Sequence, residues 1–434
     1  MVSKNIAHAI ERSISRNEKY LRTQFEYFHA HPELSYQEVH TTAKLRELLE
    51  EAGIEVIESS LETGLVARIQ GEQLAQGAQL AQGSQVVRGS QLSRNGQPGP
   101  TVALRADIDA LPIQEETNLP YASRTQGVMH ACGHDFHITT ILGAALALHA
   151  AREQLSGTYL ILFQPAEESS LGAVNVLKTG ILDGVDGIIG THASAGSPVG
   201  HVGIQAGAVT AAVDRFAIRL SGTGTHAARP HLGNDLVLAA ASLVQELQRL
   251  RARVFDPQEG AILSIAHMSA GSTWNVLPSS ALLEGTLRTL SPDSRSVGEA
   301  TLRQITAGIA QTHGIRADIE WIAGPPATNN DPNLAKIAWS AAQSVGLIPG
   351  QWGASLVGED FALYQQRIPG IFAYIGTGEQ GGGLHTSTFR GDPAVIPPAA
   401  RFVATAAVEI AQNLSQEPSQ AAQEISQRNS GVAQ

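Results

Sequence analysis

Apolar positions recur at helical spacing over residues 5–53, interrupted at Pro32 and stopped at Gly53, which predicts two helices. Short apolar runs at 64–69 and 102–105 then read as strands. An apolar helix is predicted over 138–151, and short buried strands over 159–163 and 187–190. The order changes from Val209 to Ile322. There the pattern is strand 215–221, helix 235–251, strands 261–269 and 281–289, helix 296–313 and strand 317–321. After Pro325 and Pro326 the first pattern resumes, with a helix at 334–345, a strand at 371–375 and a last helix at 399–414. This alternation predicts an α/β chain of two domains. The larger has a mostly parallel sheet flanked by helices and covers 1–208 and 323–414. A smaller α+β, ferredoxin-like domain at 209–322 is inserted into it. The tail at 415–434 is rich in Gln and Ser and is predicted to be disordered.

Residues 73–96 fit neither pattern. They read as imperfect six-residue units: QLAQGA, QLAQGS, QVVRGS and QLSRNG. A β-helix of such repeats needs about three units per coil and several coils to bury a core, so this segment is predicted to be an extended hairpin or a disordered insertion.

A length of 434 residues favours two hydrophobic cores over one. The 43% hydrophobic and 16% charged composition is that of an ordinary globular protein. A net charge of −11 disfavours nucleic acid and anionic membranes as partners. No uninterrupted apolar run reaches the roughly 18 residues of a membrane span. The first 20 residues are polar and lack a secretory pattern, so a cytoplasmic location is expected. The single cysteine, Cys132, excludes an intrachain disulfide and leaves a core residue, a nucleophile or a metal ligand.

Candidate chemistry gathers where predicted strands end. One strand runs into Asp107 and Asp109, the next into Glu167 and Glu168, a third ends at His192, and a fourth leads through a glycine-rich loop to His385. Open α/β sheets bind ligands outside the carboxyl ends of their strands. The densest cluster is HACGHDFH at 130–137, where Cys132 and His134 face the same way if the stretch is extended. Thiolate and imidazole together suit a borderline transition metal. Of the adjacent Glu167 and Glu168, one can bind a metal while the other holds the attacking water. Asp107 is assigned to orienting the ligands. His130 and His137 are read as structural or ligand-orienting, and His29 as helix packing or capping.

These residues lie in stretches that resemble the M20 metallopeptidases, and most closely their aminoacylase-like branch. The stretches are HAHPELSYQE (29–38), RADIDALPIQEE (105–116), MHACGHDFH (129–137), FQPAEES (163–169), GTHA (190–193), GTGTHAARPH (222–231), NVLPSSALLEGTLRT (275–289), GEDF (358–361) and LHTSTF (384–389). The resemblance implies hydrolysis of the amide bond of N-acyl-L-amino acids by two divalent ions per subunit, Mn2+ or Zn2+ first, with Ni2+ or Co2+ able to substitute. It implies five ligands: Cys132 bridging, His134 and His192 completing one site, Glu168 and His385 completing the other. It also implies Glu167 as general base, His226 at the reacting carbonyl, and Asn275 and Arg288 at the substrate carboxylate. The inserted domain would form a homodimer interface, and His226 could serve either its own site or the partner's. Departures occur at Ser169–Gly172, at Thr223 and Thr225, and at Thr386 and Ser387; none removes a ligand, and they bear on substrate preference. The alternatives are an M20-type di- or tripeptidase or carboxypeptidase, a cysteine hydrolase built on Cys132, and a non-catalytic metal-binding scaffold.

Overall fold

The computed structural model describes residues 2–73, 99–256 and 259–416. Apart from Gln73, the repeats of 73–96 lie outside these residues, as does the tail beyond Gln416. The chain forms two compact units. One comprises the described residues of Met1–Gly207, Asn330–Trp352 and Leu363–Gln434; the other comprises those of Ala208–Asn329 and Gly353–Ala362.

The first unit is built on an eight-stranded sheet. Its spatial order is Glu55–Ile57, Leu65–Gln70, Thr158–Gln164, Thr101–Asp107, Gly187–Ser194, Gly370–Gly376, His201–Gly203 and Ile348–Gly350. The four central strands run parallel, while Leu65–Gln70 and His201–Gly203 join them antiparallel. Every residue of Thr101–Asp107 and Thr158–Gln164 is buried. Parallel strands are covered on both faces, which is why neither segment alternates between buried and exposed positions.

The helix His134–Ala151 is buried on nearly every side, and it packs against Lys4–Ala30 and Ile396–Gln416. The C-terminal stretch Pro393–Ser415 is helical. By length and composition its 23 residues are apolar enough to cross a membrane, yet 78% of its most apolar window is buried inside the protein. It is a core helix, and it reaches Gln416, past the predicted start of the tail.

The second unit carries strands Ala212–Ser221, Ala261–Ala270, Ser280–Thr289 and Arg316–Ala323, with helices Leu236–Leu247 and Pro292–His313. Taken in chain order, the antiparallel strands lie 2-3-1-4, the ferredoxin-like arrangement. Phe216, Ile218, Leu220, Leu283 and Leu287 share a core with Leu236, Leu243, Leu247 and Leu302. Asp235 and Ser291 cap the two helices by accepting from the Leu238 and Ser294 amides. Inside this unit the Asp214 carboxylate is buried and takes two hydrogen bonds from Arg295, at 2.8 and 2.5 Å.

Candidate active site

The four parallel strands of the first unit deliver their polar residues to one edge. Asp107 ends its strand, Glu167 and Glu168 follow Gln164, and the Gly370–Gly376 strand leads to His385. His192 lies within its strand, which continues to Ser194. The Cys132–His134 segment arrives separately, as the loop that opens the His134–Ala151 helix.

These segments converge. Cys132 Sγ lies 3.5 Å from His192 Nε2 and 3.2 Å from His385 Nε2. Glu168 Oε1 lies 3.4 Å from His385 Nε2 and 3.9 Å from His134 Nε2. The ligand atoms of Cys132, His134 and His192 fall within 4.8 Å of one another, and so do those of Cys132, Glu168 and His385. The two triads share the sulfur. Glu167 joins His134 and Glu168 in a third group of the same span.

Hydrogen bonds fix the imidazoles with one nitrogen turned inward. His134 Nδ1 donates to the Asp109 carbonyl at 2.9 Å, and His192 Nδ1 donates to the Ala193 carbonyl at 2.8 Å. Each Nε2 lone pair is thereby left for the cluster. Two buried atoms that face it, His134 Nε2 and Glu168 Oε1, have no hydrogen-bond partner. Buried polar atoms are ordinarily satisfied. A divalent cation would satisfy both, and a donor set of sulfur, nitrogen and carboxylate oxygen suits a borderline metal.

The protonation of the metal-free cluster agrees. Burial pushes the Cys132 thiol well above its ordinary range. Burial alone would lower His134, but Asp107, Cys132 and the Asp109 contact outweigh it and hold the imidazole well above its usual value. Glu168 raises His385, and burial only partly offsets that effect. Protons and metal ions would therefore compete for these ligand atoms.

His137 is different. Its Nδ1 donates to Asp107 at 2.5 Å and its Nε2 accepts the Ala193 amide at 2.7 Å, so neither nitrogen is available to a metal. Asp107 is fully buried, with Arg105 Nη1 2.7 Å away. It orients His137 and stands 3.7 Å from His134 Nε2.

The turn that carries the glutamates is strained. Ala166 and Ser170 flank Glu167–Ser169, and both are non-glycine residues in the left-handed region, at φ 57° and 58°. Two carboxylates hold the turn. Asp109 accepts the Glu167 and Glu168 amides, one on each oxygen, both at 3.1 Å. Glu38 is fully buried; it accepts the Ala166 amide and the Thr63 hydroxyl, both at 2.8 Å. Sequence reasoning gave the orienting role to Asp107 and passed over Asp109 and Glu38. The available signal was their presence inside the RADIDALP and HAHPELSYQE stretches.

The remaining predicted residues belong to the second unit. His226 is exposed, and its Nδ1 accepts the Ala228 amide at 3.0 Å, which leaves the proton on Nε2. Asn275 adjoins it, since its carbonyl accepts the Ala227 amide at 3.0 Å. Arg288 does not: it lies near the far end of Ser280–Thr289 and donates to the Leu356 carbonyl at 2.9 Å.

A family model described as peptidase family M20/M25/M40 matches residues 103–409. An N-acetylcysteine deacetylase of Bacillus subtilis strain 168 is 40% identical over 389 residues, covering 89% of this chain and 95% of that protein. An N-acyl-L-amino acid amidohydrolase of Geobacillus stearothermophilus is 38% identical over 307 residues, 70% of this chain and 76% of the relative. Among solved structures, a Bacillus subtilis protein described as a dinuclear metal-binding peptidase of the M20 family superposes with a TM-score of 0.79. It is 38% identical, over 92% of this chain and 99% of that one.

Proposed function

The chain belongs to peptidase family M20/M25/M40, and from that premise we propose that it hydrolyses the amide bond of N-acyl-L-amino acids with two divalent metal ions, releasing a carboxylic acid and a free amino acid. The observation that carries this reading is the pair of triads sharing Cys132, with Glu167 beside them. Cys132, His134 and His192 would hold one ion, and Cys132, Glu168 and His385 the other. Manganese or zinc suits such a mixed donor set, and nickel or cobalt could substitute. Metal bound there would supply Lewis acidity toward water and the amide carbonyl.

The chain's own groups supply proton transfer and charge stabilisation. Glu167 is buried, and its turn is pinned by Asp109 and Glu38. It takes a proton from the attacking water and returns it to the leaving amine. His226 carries its proton on Nε2, so it acts as a neutral donor to the oxyanion that develops on the carbonyl. Asn275 adjoins His226 through the hydrogen bond its carbonyl accepts from the Ala227 amide, which supports a role for it at the substrate carboxylate. Arg288 is at the other end of its strand from the His226 ladder, so a role for it at the substrate carboxylate would require a second subunit. A homodimer through the second unit fits its exposed apolar side chains, among them Met268, Trp274 and Val276.

The test is a panel of N-acetyl, N-benzoyl and indole-acetyl amino acids together with dipeptides, assayed after chelation and after return of Mn2+ or Zn2+. Activity is expected to vanish with chelator and to recover with metal, on the acylated substrates. Glu167→Gln is expected to keep both ions and lose about 10²–10⁴ in turnover. Activity that survives chelation but not thiol alkylation would point instead to a cysteine hydrolase. Cleavage of dipeptides alone would overturn the substrate class.

A further inference from the structure

One buried charged cluster in the first unit lies outside the five ligands. His29 Nδ1 is 2.6 Å from Asp135 Oδ2, and His29 Nε2 is 3.1 Å from Glu115 Oε1. The three side chains are 3%, 0% and 2% exposed, respectively. Ionised carboxylates only accept, so a ring bonded to two of them donates from both nitrogens and carries a positive charge. Burial opposes that charge, but the hydrogen bonds to Asp135 and Glu115 prevail and hold His29 at about 9. The rings of Phe25 and Tyr121 pack 5.8 and 5.2 Å away, and nearby His130 is kept neutral by burial, at about 4.

Each carboxylate leads to a different part of the metal cage. Asp135 directly follows His134, and its other oxygen accepts the Phe136 amide at 3.0 Å, fixing the first turn of the helix that His134 opens. Glu115 accepts the Ser123 amide at 2.6 Å and the Thr117 hydroxyl. The next residue, Glu116, donates its amide to the Ser387 carbonyl at 2.8 Å and accepts the Ser387 hydroxyl at 2.6 Å. Ser387 stands two positions after His385. That histidine has a left-handed backbone, φ 61°, and its own amide reaches the Ala131 carbonyl at 2.8 Å. A non-glycine residue keeps that conformation only where its surroundings enforce it.

We propose that His29 is a positioning residue that ties the His134 side of the metal cage to the His385 side, through Asp135 in one direction and through Glu115, Glu116 and Ser387 in the other. The tie rests on the assignment of His134 and His385 as ligands made above. It gives a helical histidine at the start of the chain control over the spacing of two ligand loops, though it touches neither metal nor substrate.

The experiment is calorimetric titration of the full-length protein, stripped with chelator, with Mn2+. The wild type is expected to take up two ions. Glu116→Ala alters an exposed side chain and leaves the buried cation in place. It is expected to bind one ion as the wild type does and the other about 10–100-fold more weakly. His29→Gln, which cuts the tie on both sides, should weaken both ions, with circular dichroism reporting that it folds. The double variant should be no worse than His29→Gln alone, because both substitutions cut one path. Equal loss of both ions in Glu116→Ala, or unchanged affinity for both, would overturn the tie. A wild type that takes up no pair of ions would overturn the metal-centre reading instead, so the two failures are distinguishable.

Discussion

Cys132 illustrates how one residue sets the conditions under which the centre can load. Its thiol is buried and strongly held in the protonated form, and His134 and His385 are likewise held protonated beyond the usual imidazole range. A metal needs the thiolate and neutral rings, so loading releases protons and the apparent affinity rises with pH. The metal-free protein runs the other way. A histidine whose folded pKa is raised contributes stability that is complete below its ordinary value and is lost as pH climbs through the raised one. The gap in melting temperature between loaded and stripped protein is therefore expected to widen from about pH 6 upward. Titration calorimetry in buffers of different ionisation enthalpy counts the protons directly. Cys132→Ala is expected to release about one proton fewer and to bind metal more weakly. Proton release that is unchanged by the substitution would take the sulfur out of the ligand set.

At the level of elements, the pattern of the chain was readable because burial on both faces forces continuous apolar runs. Val102–Leu104 and Tyr159–Phe163 are such runs, and the polar residues that follow them marked the edge where chemistry collects. The clamping role of Asp109 and Glu38 on the turn that carries Glu167 and Glu168 was not readable beyond their place in the RADIDALP and HAHPELSYQE stretches. Asp109 and Glu38 act on backbone amides 58 and 128 positions away, and an amide donor leaves no trace in the identity of its residue. The left-handed backbones of Ala166, Ser170 and His385 were hidden for a related reason, since none is glycine. Gly133 is the converse case. It has φ 84° at the N-cap of the His134–Ala151 helix, and an added Cβ would lie 2.8 Å from the Ala193 side chain. Gly133→Ala is expected to cost about 1–2 kcal/mol from the backbone conformation alone. It should also lower metal content, because the displaced neighbours are Cys132, His134 and the residue after His192. Denaturant unfolding and metal analysis read the two effects separately. Wild-type values for both would mean that this loop absorbs the methyl group without moving its ligands.

For the whole molecule, the division of labour between the two units makes metal content and turnover separable. All five proposed ligands and Glu167 belong to the first unit, whereas His226 and Asn275 belong to the second. In the second unit His226 pairs with Val276 across a short antiparallel ladder. Val276 is 48% exposed, and nearby Trp274 is 90% exposed. An apolar patch of this kind invites a partner, and a second copy that covers it would receive the adjoining His226 loop. His226→Ala should accordingly retain both ions and lose about 10²–10³ in turnover. Whether that histidine completes its own site or its partner's follows from mixing two inactive proteins. In a twofold dimer of Glu167→Gln and His226→Ala subunits, one site would draw Glu167 from one chain and His226 from the other. Random reassociation would then restore about a quarter of wild-type activity. Recovery at that level is the expected result. A mixture that stays inactive, while light scattering reports dimers, would return His226 to its own subunit.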